Sequence, residues 1–70
     1  MSLSVTINGD RRELPVGATV ASVVASLADA PGGRGVAVAV EGVVVPRGQW
    51  TSTELREGAS VEVVVAVQGG

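Results

Sequence analysis

Residues 3 to 8 alternate, with Leu3, Val5 and Ile7 set against Ser4, Thr6 and Asn8. A period of two predicts a strand with three large apolar groups on one face and a wet opposite face. Asn8-Gly9-Asp10 follows, and because Asn and Gly both accept positive φ this is a tight hairpin signal. A return strand is expected over Arg11 to Leu14, broken by Pro15, Val16 and Gly17. The period then changes. Val20, Val23, Val24 and Leu27 recur at i, i+3, i+4 and i+7, the apolar stripe of one helix. Thr19, just ahead, can offer its hydroxyl to the first exposed amides. Ala30-Pro31-Gly32-Gly33-Arg34-Gly35 closes the helix, since proline disfavours helical geometry before it and glycine accepts turn conformations.

From Val36 the period is two again. Val36, Val38 and Val40 share one face, while the small Ala37 and Ala39 on the other leave room for a close neighbour. Gly42 interrupts, Val43 to Val45 give a short strand, and Pro46 stops it by removing a ladder donor. Arg47 to Arg56 is the least regular stretch. Glu57-Gly58 then turns the chain into a last strand through Val61, Val63, Val65 and Val67. Two strands, a helix, then three strands describe an α+β chain with a right-handed helical crossover. The pattern predicts a β-grasp (ubiquitin-like) roll, a mixed sheet of four to five strands covered by one main helix. The domain is expected over residues 1–67, with 68–70 a flexible Gly-Gly tail.

Seventy residues suit one small domain, which buries only about 60% of the surface its unfolded chain exposes. No apolar run approaches the roughly 20 residues needed to cross a bilayer. The N-terminal MSLSVTING lacks the basic and apolar regions of a secretory signal, so a cytoplasmic protein without membrane contact is expected. Cysteine and histidine are absent, which removes thiolate nucleophiles, imidazole acid–base chemistry and the usual zinc ligands. The five basic residues are scattered arginines against seven acids, giving a net charge of −2 and no stripe for phosphates. Neither a catalytic side chain, nor a metal site, nor a nucleic-acid surface is expected.

Four features could carry function. The first is the C-terminal Gln68-Gly69-Gly70, directly after a valine strand. A glycine pair can be no more than a frayed end. It can also be a bare probe reaching about 10 Å beyond Val67, at roughly 3.3–3.6 Å per residue. Glycine has no Cβ to collide with a narrow channel. The terminal carboxylate, ionised at neutral pH, needs another protein to activate it. The second is Val45-Pro46-Arg47-Gly48-Gln49-Trp50. Trp50 can cap a sheet edge and can also, with Arg47, anchor a partner, since Trp and Arg are enriched among binding hot spots, and the two readings are compatible. Val65 and Val67 at the end of the last strand are candidates for the same interface. The third, the glycine cluster at 32 to 35, follows a helix instead of opening one and reads as a plain loop. The fourth is the set of acids Asp10, Glu13, Glu41, Glu54, Glu57 and Glu62, which read as solubilising charge.

With the tail and the VPRGQW segment together, the chain resembles the ThiS family of sulfur carriers of thiamine biosynthesis. The likeness spans the hairpin at Asn8, the helix from Thr19, VAVAVEGVVVPRGQW, the turn at Glu57-Gly58 and VEVVVAVQGG. The terminal Gly-Gly is shared more widely; the valine strand running into Pro-Arg and then Trp is the more specific mark. The chain departs from the family in its glycine-rich loop at 32 to 35. The resemblance implies a protein co-substrate, not an enzyme, that binds no cofactor itself. An E1-like adenylyltransferase (ThiF type) would use ATP to adenylate Gly70. A sulfur donor protein would convert the adenylate to a thiocarboxylate, and a thiazole synthase (ThiG type) would consume it. Gly69 would keep the tail narrow. With no Lys or Cys, the activated end would meet no internal amine or thiol except the N-terminal amine. The alternatives are the small subunit of molybdopterin synthase, which has the same chemistry and a pterin acceptor, and a ubiquitin-like modifier or passive interaction module.

Overall fold

The structure, a computed structural model, describes residues 1–27 and 35–65. The expected tail and all of the glycine loop before Gly35 lie outside the described residues. Strand β1 (Ser2–Ile7) and strand β2 (Asp10–Pro15) form the first hairpin. Helix α1 (Val20–Ala25) follows, then β3 (Val36–Val40), β4 (Val43–Val45), a 3-10 turn over Arg47–Gln49, and β5 (Ser60–Val65). The strands form one five-stranded sheet in the order β2-β1-β5-β3-β4. β1 and β5 are parallel; the other three pairings are antiparallel. This is the expected β-grasp arrangement, with the last strand at the centre.

Both hairpin turns use positive φ. Asn8 and Gly9 stand at 53° and 85°, and Glu41 and Gly42 at 52° and 79°. Asn-Gly is the natural occupant of such a turn, whereas Glu41 carries a Cβ into a region that disfavours it. Pro15, expected to break β2, is its last residue, opposite Ser2. β2 is an edge strand, where a missing amide donor is tolerated.

The helix is short, yet its first amides are fully used. Val20 N–H donates to the Thr53 carbonyl at 3.0 Å and Ala21 N–H to the Trp50 carbonyl at 3.1 Å. Ser22 N–H donates to Thr19 Oγ1, and Ser22 Oγ accepts from Thr19 N–H, closing a reciprocal cap. These are the amides that a helix cannot satisfy internally. The irregular stretch after Pro46 is therefore the lid of the helix N-terminus, fastened further by Leu55 N–H to the Ala18 carbonyl and the bridge between Thr19 and Glu54.

Leu3, Val5 and Ile7 of β1, Val38 of β3, and Val61 and Val63 of β5 meet Val20, Val23 and Val24 of α1 in one core. Trp50, Leu55 and Ala59 close it, and Leu14, Leu27, Val36, Val40 and Val45 pack around its edge. No buried side-chain polar atom among the described residues lacks a partner.

Candidate functional site

The residues expected to carry chemistry, Gln68, Gly69 and Gly70, lie outside the described residues, as does Val67. What the structure describes is their base. Val65, the last described residue of β5, stands opposite Val36 and is 41% exposed. β5 lies between β1 and β3, so the strand from which the chain end departs is the middle one of five.

One transverse row of the sheet runs from Val63 through Val38 to Val45. Side chains grip both of its ends. On the β4 side, Trp50 Nε1–H donates to the Val45 carbonyl at 2.9 Å. On the β1 side, Asn8 Nδ2 donates to the Val63 carbonyl at 3.1 Å and Asn8 Oδ1 accepts from Val63 N–H at 2.8 Å. The sequence reading missed this second grip, because an Asn-Gly pair already has a sufficient explanation in the turn.

Trp50 differs from expectation as a partner anchor. Only 6% of its surface is exposed, so its ring is part of the core instead of standing on the valine surface. The physical reason is size. Pro46 and the 3-10 turn fold the chain back, with Gln49 N–H donating to the Pro46 carbonyl at 2.8 Å. The one large ring of a valine-built chain then fills space that small side chains would leave open. Arg47 is the exposed member of the pair, its guanidinium carbon 5.8 Å from the indole centroid, within cation–π range.

The sheet face turned away from α1 divides in two. Over β2 and β1 it is polar, with Ser2, Ser4 and Thr6 paired to Pro15, Glu13 and Arg11. Over β5, β3 and β4 it is mostly apolar. Ala39 lies between Glu62 and Val44, and Ala37 beside Val64. Val44 and Val64 are 69% and 63% exposed. The small alanines expected to admit a neighbouring element thus have none among the described residues: Ala37 is exposed and Ala39 half-buried.

The acids are not all bystanders. Glu57 Oε1 accepts from Ser4 N–H at 3.0 Å while Gly58 N–H donates to the Ser4 carbonyl at 2.6 Å, so the turn extends the pairing of β1 before β5 begins. Glu13 Oε1 accepts from Ser2 Oγ at 3.0 Å. These contacts join positions far apart in the chain, so spacing could not reveal them. Among the described residues no cluster of His, Cys, Asp or Glu could hold a metal ion, and no helix is long and apolar enough to cross a membrane.

A mixed five-stranded sheet with one covering helix and a central last strand defines a small ubiquitin-like β-grasp protein. Residues 5–70 match the model of the ThiS family, and the chain belongs to that family. Among solved structures it is similar to the thiamine biosynthesis protein ThiS from Geobacter metallireducens, at 24% identity and a TM-score of 0.76, over 97% of this chain and 100% of that one. At this identity the likeness speaks for the fold. A comparison with curated proteins gives no match.

Proposed function

We propose that the protein is a sulfur carrier of thiamine biosynthesis whose working group is the Gly70 carboxylate. The observation that supports this most is that the family match runs through residue 70, tail included. A ThiF-type E1-like adenylyltransferase joins the carboxylate to the α-phosphate of ATP, with pyrophosphate leaving. A sulfur nucleophile delivered by a donor protein then attacks the carbonyl carbon, AMP leaves, and a thiocarboxylate remains for a ThiG-type thiazole synthase. The carrier contributes no catalytic side chain. It contributes a narrow end, residues 68–70, on the stiff base of a domain spanning 1–67. Because ATP drives the activation, the reaction belongs in the cytoplasm.

Docking falls to the mostly apolar half of the sheet face turned away from α1, where Glu62 is the one charged side chain among the described residues. Val64 belongs to β5, Ala37 and Ala39 adjoin it on β3, and Val44 lies one strand further out, so a partner seated there lies beside the strand that leads to the tail. Arg47 supplies the exposed polar contact at the end of β4, while Trp50 supports that position from the core. Val64→Glu should raise the carrier concentration needed for half-maximal adenylation about tenfold, the scale of one lost central contact. An unchanged requirement would move docking elsewhere.

The deciding experiment is intact mass after incubation with ATP, the cognate adenylyltransferase and hydrosulfide. A gain equal to exchanging one oxygen for one sulfur is expected. An unchanged mass with a partner shown to be active would reject the carrier reading. Transfer from the loaded protein to a thiazole synthase, tested beside a molybdopterin synthase large subunit, identifies the acceptor.

A further inference from the structure

β1 and β5 run parallel, Thr6 beside Ser60 and Ile7 beside Val61. Thr6 N–H donates to the Ala59 carbonyl and Asn8 N–H to the Val61 carbonyl, both at 2.9 Å. A longer β1 would next pair its backbone with Val63. It does not, because Asn8 and Gly9, at φ 53° and 85°, turn the chain into β2. The Asn8 carboxamide takes the place of the missing peptide group. Its Oδ1 accepts from Val63 N–H and its Nδ2 donates to the Val63 carbonyl. A primary amide presents the same donor and acceptor as a peptide, which an ionised carboxylate cannot.

We infer that Asn8 is a positioning residue for the C-terminal strand. Beyond Val61, β3 continues along one side of β5 as far as Val65, whereas on the other side the Asn8 side chain makes the last hydrogen bonds among the described residues. Val63 stands seven residues before the chain end. Pairing both of its polar groups fixes the position and direction from which the last residues depart. The turn alone does not require this side chain, since glycine adopts positive φ at least as readily. The functional consequence rests on the carrier reading of Gly70; the hold on β5 does not.

Asn8→Gly separates the two roles, because it keeps the turn conformation and deletes only the amide. Two readouts are needed: adenylation kinetics followed by pyrophosphate release with the cognate adenylyltransferase, and hydrogen exchange at Val63. The variant should show a KM raised about tenfold with kcat within twofold, the size expected if about one further residue must be ordered on binding. Protection of the Val63 amide should fall about tenfold or more while that of Val5 N–H, in the middle of β1, stays. Unchanged KM in folded protein, or a fall in kcat at constant KM, overturns the inference. If the wild-type chain is not adenylated at all, the carrier reading has failed, and exchange alone decides the hold: unchanged protection at Val63 rejects it and lost protection sustains it. Should Asn8→Gly not fold, Asn8→Asp serves, since it retains a turn-compatible residue, removes the donor and sets a carboxylate against the Val63 carbonyl. The same rise in KM is expected of it, and its absence overturns the inference equally.

Discussion

Deleting Gly70 should abolish the mass gain from sulfur loading, and appending a third glycine should do nearly the same. The deletion leaves a carboxylate, on Gly69, but withdraws it by one residue, roughly 3.3–3.6 Å of reach. Reacting groups tolerate far less, since a displacement of about 1 Å can cost about 10²-fold in rate. Loading of either variant should therefore fall by at least about 10²-fold under conditions that load the full chain completely. The described core reaches no further along the chain than Val63, so the melting temperature should stay within about 2 °C, as for substitutions away from packed features. The pair of variants carries more information than the deletion alone. A shortened chain could fail through lost binding, whereas a lengthened one keeps every residue of the parent and displaces only the carboxylate. Loading that persists in both would show that the terminal residue is not the acceptor.

The part of the fold written in local pattern was legible. Alternation located β1, β3 and β5, Asn8-Gly9 located the hairpin, and Thr19 was read as the helix cap that it is. Each depends on residues within a turn or two of one another, where spacing and conformational preference are sufficient. The rest depends on neighbours that spacing does not report. Asn8 meets Val63 across 55 positions and Glu57 meets Ser4 across 53. A composition-based reading made Glu57 solvated charge, although in the sheet it acts as a strand extension. Trp50 was ambiguous for a related reason. Its type is as much at home in an interface as in a core, and only the return of the chain after Pro46 decides between them. The terminal glycines lie outside the described residues, and their reading rests on chemistry: a chain end without side chains has one reactive group to offer, and the family match includes it.

Trp50→Ala should leave the protein largely unfolded at 37 °C. Removing a buried Trp costs about 3–5 kcal/mol, and a chain of this length has about 3–10 kcal/mol of stability in all. The site has little means of collapse, because the core it belongs to is already packed from valines with Leu3, Ile7, Leu55 and Ala59. Two further losses add to the cavity. The Val45 carbonyl forfeits its indole donor, and the carbonyl that receives Ala21 N–H belongs to residue 50 itself, so loosening of that segment exposes the helix N-terminus. Trp50→Phe keeps most of the volume and should cost less, about 1–3 kcal/mol, for a smaller ring and an unpaired acceptor. Arg47→Ala removes the cation above the ring, an interaction that should cost about 0.5–1 kcal/mol. Urea denaturation of the three variants gives the order directly. The ranking also separates the two roles first considered for this segment: partner affinity that falls in Arg47→Ala beyond its small loss of stability assigns docking to the guanidinium, with the indole as its support. A Trp50→Ala variant as stable as the parent would mean that the ring is not part of the core, and would return Trp50 to the surface as a partner anchor.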